Sequence, residues 1–192
     1  MPGTTLTWLP LTSATWPDFE RLLGARGACG GCWCMSWRLE RAAFNRGKGE
    51  ANRLAMRALA AQDRPPGILL YIDGAPAGWC SIAPRSEFAA LSRSRVWAPV
   101  DERPVWSISC FFVAKAYRNQ GLSVELLRAS IEFARGHGAR IVEGYPQEVA
   151  GDHLPAPFVW TGLASAYRKA GFQEAARRSE KKPVMRFEIE DE

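Results

Sequence analysis

At 192 residues, 47% apolar and 23% charged, the chain has the size and composition of one globular domain with a sizeable core. No apolar run nears the ~20 residues of a membrane span, no basic–apolar leader pattern is expected at the start, and five cysteines, an odd number in a chain that is not short, argue against a secreted disulfide framework. The expected setting is a reducing cytoplasm; a net charge of +5 suits an anionic partner, but Lys and Arg form no stripe interleaved with aromatics, which argues against nucleic acid.

In chain order, Thr4 to Leu9 alternates as a first strand. Thr15-Trp16-Pro17-Asp18 opens a helix that ends near Gly24, with Pro in its first turn. Gly27 to Trp37 is a glycine-rich loop carrying Cys29, Cys32 and Cys34. Lys48 to Gln62 reads as a helix with Leu54, Ala55, Ala58 and Leu59 facing in, closed by Pro65-Pro66. Gly67 to Ile72 and Ala75 to Ile82 make a hairpin across Asp73-Gly74. Pro84 to Arg103 has no period and reads as a long loop or short helical turns. Val105 to Val113 is bulky and uncharged, the pattern of a strand buried on both faces. A polar turn from Ala114 to Gly121 leads into a helix from Leu122 to Arg135, where Leu126, Leu127, Ile131 and Ala134 recur at helical spacing. Then come a strand (Ala139 to Tyr145), a loop (Pro146 to Pro157), a helix (Thr161 to Ala170) stopped by Gly171, and two strands (Phe172 to Arg178, Val184 to Ile189) before an acidic, solvated end.

The middle of this order carries the chemistry. A strand that turns directly into a helix leaves backbone N–H groups unpaired at the helix start, and with the macrodipole they attract an anion, above all a phosphate. Gly121 lets that backbone approach the ligand closely, Ser123 adds a hydroxyl and Arg118 a permanent charge. A nucleotide-hydrolysing P-loop would need Gly-Lys-Ser/Thr here, which is absent. A dinucleotide fold would need three glycines in the turn, and only Gly121 is present.

Val113-Ala-Lys-Ala-Tyr-Arg118-Asn-Gln-Gly121-Leu-Ser123 resembles the acetyl-CoA-binding segment of the GNAT acetyltransferases: a strand ending in Val, then Gln/Arg-x-x-Gly-x-Gly/Ala at a helix start. Ser123 stands where Gly or Ala is usual. The element order matches that fold from end to end. The chain also resembles a bacterial branch with a Cys-Trp-Cys segment and a Gly-Trp-x-x-x-x-Pro-Arg strand end, here Gly78-Trp79 to Pro84-Arg85. The resemblance implies an α/β fold over residues 1–192: a central, mostly antiparallel sheet flanked by helices and splayed at the middle strand. It implies acetyl-CoA as co-substrate and direct transfer to an amine, of a small molecule or peptide, in a ternary complex. A homodimer is left open, and a non-catalytic acyl-CoA-binding or sensing module is the alternative.

By the same resemblance Phe111, Phe112 and Val113 offer backbone donors to the acetyl carbonyl and pantetheine, and Arg118, Asn119, Gln120, Gly121, Leu122 and Ser123 hold the pyrophosphate. Tyr167, in Tyr-x-x-x-Gly-Phe, is placed near the sulfur as general acid, a weakly acidic phenol suited to reprotonating a thiolate. The family's Asn at the start of that helix is missing, and Ser165 is the substitute for its contact to the CoA arm. Removing a proton from the attacking amine calls for a base or a water chain, with Glu87 and Glu143 as candidates and an ion-paired carboxylate as the competing reading of each. Of eight tryptophans, Trp33, Trp37, Trp79, Trp97 and Trp160 fall around the expected acceptor mouth. Cys29-x-x-Cys32-x-Cys34 offers three thiolates to zinc, with Cys80, Cys110, His137 or His153 as a fourth ligand. A structural zinc site pairs two separated knuckles and only one is visible, so unligated thiols are preferred and no metal ligand is assigned.

Overall fold

The computed structural model describes residues 3–149 and 160–190. Seven strands form one sheet in the order β1 (Leu6–Pro10), β2 (Gly67–Ile72), β3 (Ala75–Pro84), β4 (Trp106–Val113), β5 (Ile141–Gly144), β7 (Pro183–Glu188) and β6 (Gln173–Arg177). The helices are α1 (Trp16–Leu23), α2 (Arg41–Arg46), α3 (Glu50–Ala60), α4 (Ala89–Ser92), α5 (Leu122–Gly136) and α6 (Ala164–Lys169). Every neighbouring pair of strands is antiparallel except β4 and β5, whose parallel pairing requires a crossover, supplied by α5. The β2–β3 turn has both Asp73 and Gly74 at positive φ (48° and 77°), as a two-residue turn of the primed type requires.

Both faces of the central strands are covered. Ile68, Leu70, Ile108 and Phe111 pack with α5 and α6 on one side; Leu69, Tyr71 and Trp79 pack with α1 and the cysteine loop on the other. This is why β2 and β4 read as continuous apolar runs rather than alternating ones.

Two features open β4. Ser81 pairs with Cys110 but Ile82 pairs with Ile108, so Ser109 is an extra residue, a β-bulge that bends the strand. Pairing with β5 runs only from Trp106↔Val142 to Ile108↔Gly144. From Ser109 to Val113 the strand therefore has β3 on one edge and no β5 partner on the other, the expected splay.

Three sequence expectations need correction. The α3 helix buries Asn52, Met56 and Ala60, whereas Leu54 is 51% exposed, Ala58 is exposed and Ala55 and Leu59 are only partly covered. Periodicity of apolar residues overlooked Asn52, whose amide donates to the carbonyls of Gly31 and Phe44 (both 3.3 Å) and turns the helix by that polar anchor. A separate helix, α2, precedes it. The segment expected to be helical from Thr161 starts at Ala164 instead: Gly162 sits at φ 85° and Leu163 bridges Gln147 in parallel, extending the chain before α6. Within the Pro84 to Arg103 stretch, a 3₁₀ turn at Arg85–Glu87 and α4 are the helical turns expected there. The expected loop from Pro146 to Pro157 lies largely outside the described residues.

Candidate active site

A cleft of about 1250 Å³ runs along the unpaired edge of β4. Ser109 to Val113 form its floor, and the turn that follows contributes Tyr117, Arg118, Asn119, Gly121, Leu122 and Ser123. The cysteine loop adds Cys29, Cys32, Cys34, Ser36 and Trp37, while Trp160, Gly162, Leu163, Ala166 and Tyr167 close it from the α6 side.

The turn holds two left-handed residues in close succession, Asn119 (φ 61°) and Gly121 (φ 81°), so the chain bends sharply twice within three residues. Gly121 caps α5, and a Cβ built on it would meet nothing within 4 Å. The glycine is there for conformation and for whatever approaches from outside, not to relieve crowding within the chain. The N–H groups of Leu122 and Ser123 have no carbonyl within the helix to bond. Arg118 reaches back, its Nε donating to the Val113 carbonyl at 3.0 Å, and so ties the turn to the strand end. Gln120 departs from expectation: its amide donates to the Ala116 carbonyl (3.0 Å) and it lies outside the cleft lining. Ser165 lies outside the lining too, although its neighbours Ala166 and Tyr167 belong to it.

Among the three expected backbone donors of β4, the roles separate. The Phe111 N–H donates to the Trp160 carbonyl at 2.6 Å, and that of Ala114 donates to Ala77 on β3. Strand alternation therefore points the Phe112 amide at β3, leaving the Val113 amide on the cleft side. Phe111 is thus already engaged, by a carbonyl that motif spacing could not reveal.

Tyr167 lies at the inner end of the splay, fully buried, with its ring edge-on to Phe111 (5.9 Å between centroids). Its hydroxyl donates to the Thr161 carbonyl at 3.2 Å. Burial pushes its pKa well above the ordinary phenol value, so it carries its proton at neutral pH.

Neither carboxylate singled out as a base reaches the cleft. Glu87 pairs with Arg38 (2.9 Å) and with Arg64. Glu143 is 1% exposed and accepts from Arg186 Nε at 2.7 Å and from the Tyr145 hydroxyl at 2.8 Å, with Arg85 at 3.4 Å. Tyr145 in turn receives Arg85 (2.6 Å) and lies within hydrogen-bonding distance of Ser107 (2.8 Å), and Arg186 continues to Asp101 (2.6 Å). This is a satisfied buried network that locks β4, β5 and β7 together, the ion-paired reading of Glu143.

The tryptophans divide likewise. Trp37 and Trp160 line the cleft, packed edge-to-face at 5.3 Å. Trp33 and Trp79 belong to the core around Phe19, and Trp97 packs against Trp37 at 4.8 Å, tilted by 45°. Of the thiols, Cys29 is exposed, Cys32 half-buried and Cys34 buried against Cys110 (Sγ–Sγ 3.2 Å). Among the described residues no group of three His, Cys, Asp or Glu side chains is arranged to hold a metal ion, and His153 lies outside them.

This mixed sheet, splayed at its middle strand and with a left-handed glycine turn opening a helix at the end of that strand, is the α/β fold that the sequence resemblance implied. Residues 33–158 match the Acetyltransferase (GNAT) family, and the chain belongs to that family. Among solved structures it is similar in fold to a GNAT-family acetyltransferase from Streptococcus pneumoniae (18% identity, TM-score 0.52, covering 97% of this chain and 100% of that one). It is similar also to the PaiA N-acetyltransferase of Thermoplasma acidophilum in complex with coenzyme A (10%, 0.54, 96% and 99%). A third is the aminoglycoside acetyltransferase AAC(6')-Ib in complex with coenzyme A and kanamycin (18%, 0.51, 96% and 95%). At these identities the likeness is one of fold. No curated protein matches the chain in sequence. Among the described residues no helix is long and apolar enough to cross a membrane.

Proposed function

We propose that residues 1–192 form one acetyl-CoA-dependent N-acetyltransferase domain that passes an acetyl group directly to an amine within a ternary complex. The observation that carries this reading is the continuity of the cleft, from the Gly121 turn, past the free edge of β4, to the aromatic and thiol-lined loop. A phosphate-bearing end and an acceptor end joined by one strand edge suit a long thioester carrier meeting a second substrate.

In this reading the amides at Leu122 and Ser123, with Arg118, hold the diphosphate. The Val113 amide orients the pantetheine arm and the acetyl group along β4. Tyr167 holds a proton for the departing thiolate and must release the Thr161 carbonyl to deliver it. Trp37 and Trp160 supply an apolar wall for the acceptor. With Glu87 and Glu143 both committed to arginines, a water chain takes the amine proton.

That commitment also favours a second reading, an acyl-CoA-binding module without turnover. Following free-thiol release from acetyl-CoA over small aromatic amines, aminoglycosides, polyamines and peptides separates the two. Release with any amine supports the enzyme; tight binding of acetyl-CoA with no release from any of them overturns it in favour of the module.

A further inference from the structure

The cysteine loop is more constrained than its glycines require. Ala28, Trp33 and Cys34 all hold positive φ (64°, 45° and 57°), three of the five non-glycine residues that do so among those described. Such strain persists only where surrounding contacts enforce it. Gly27 is fixed against Trp33, whose ring atoms would lie 2.3 Å from a Cβ there, and Trp33 packs on Trp16 and Phe19. The outcome is the aim of one side chain: Cys34 Sγ points at β4, 3.2 Å from Cys110 Sγ, and receives the Trp79 indole N–H at 3.0 Å.

We propose that Cys34 and Cys110 are a dithiol modification site, converted by a hydroperoxide to a reversible disulfide that ties the loop to β4 inside the cleft. Both side chains line the cleft, and Cys110 is the less buried of the two, so an entering oxidant meets it first. Its sulfur attacks the peroxide, the O–O bond breaks, and the products are a Cys110 sulfenic acid and an alcohol. The Cys34 thiol then attacks that sulfur; the S–S bond forms and the hydroxyl leaves with the Cys34 proton as water. Two thiols lose two electrons, and the hydroperoxide gains them.

The hydrogen bond with Cys110 pushes the Cys34 pKa up and burial adds to the rise, while hydrogen bonds with Cys32 and with the Trp79 N–H oppose it. Its deeper burial makes Cys34 the resolving partner rather than the first attacker. Closing the sulfurs from 3.2 Å to the ~2.05 Å of a disulfide requires about 1.1 Å of movement. The β4 strand is held by β3 and the loop is not part of the sheet, so the loop moves. Cys110 directly precedes Phe111, and the cofactor arm of the proposed function lies along that strand. The coupling to cofactor affinity rests on that reading; the cross-link does not.

The test is peptide mapping of the full chain after hydrogen peroxide treatment, without reductant, paired with calorimetric titration of acetyl-CoA into reduced and oxidised protein. The expected result is one Cys34–Cys110 cross-linked peptide, with acetyl-CoA affinity lowered about tenfold, within the usual span of coupling between two events on one protein, and restored by dithiothreitol. Cys110→Ser and, separately, Cys34→Ser should each abolish both effects. A Cys29–Cys32 product, sulfonic acid without cross-link, or no reaction overturns the site. A Cys34–Cys110 bond that leaves affinity unchanged overturns the coupling. No binding to the reduced protein would instead defeat the proposed function, and mapping would still decide the dithiol.

Discussion

Gly144 is the seat of the Tyr167 ring: a Cβ built on it would lie 2.0 Å from Tyr167 Cε1 and 2.6 Å from the hydroxyl oxygen. Gly144 is also the last residue of β5 to pair with β4, so the phenol fills the place where the two strands part. Gly144→Ala should therefore destabilise the protein by about 1–3 kcal/mol through overpacking and lower turnover by displacing the phenol. Gly136→Ala, with nothing within 4 Å of the added Cβ, should be neutral or slightly stabilising. Urea unfolding of the two variants beside the parent checks this.

Tyr167→Phe keeps the ring against Gly144 and Phe111 but removes the only proton in the described splay that faces the Thr161 carbonyl. Turnover should fall roughly 10²-fold, the usual contribution of a positioned acid, while acetyl-CoA affinity stays within about twofold. Steady-state kinetics alongside binding separates these; equal loss in both would make the tyrosine a packing residue.

Glu143→Gln should act on stability and not on chemistry. Arg186, buried beside it, and Arg85 would keep their charges without their shared carboxylate, costing about 3 kcal/mol or more. Glu87→Gln should destabilise too, because the buried Arg38 would lose its carboxylate, although Glu87 itself is partly exposed. Rates per folded molecule should be near the parent value for both. A collapse of turnover in a folded Glu143→Gln protein would restore it as the base.

Acid stability should carry the mark of Glu148. Hydrogen bonds from Arg168 first and Arg177 second lower its pKa from 4.5 to about 2. The unfolded chain takes up that proton near pH 4.5 and the folded chain only near 2, so the stabilisation is present above pH 4.5 and lost across that window. Glu148→Gln should flatten the decline of the urea midpoint over the same range. Added salt should shrink the difference, because the carboxylate is partly exposed.

The fold was legible because its signals are local. The Asp73-Gly74 turn, the uncharged run to Val113 and the Gly121 break each announce an element within a few residues. The half of the site proposed to hold the diphosphate shares that property, lying within Val113 to Ser123. The other half depends on partners far away in sequence. Glu143 meets Arg186 43 positions on, Glu87 meets Arg38 49 positions back, and Cys34 meets Cys110 across 76. No spacing rule shows that Trp160 lends its carbonyl to Phe111, or that Asn52 rather than Leu54 faces the core. Trp37 and Trp160 were among several plausible tryptophans, and only packing chose between them.

The most direct measurement is calorimetric titration of coenzyme A into the parent protein and into Gly121→Asp. The added Cβ meets no neighbour, so the variant keeps its fold apart from the strain of its positive φ, which circular dichroism can verify. A carboxylate there would face the diphosphate across the α5 N-terminus. Stoichiometric binding to the parent that weakens as salt rises, and no detectable heat with the folded variant, is the predicted outcome. No binding to the parent, or equal affinity for both proteins, would contradict it.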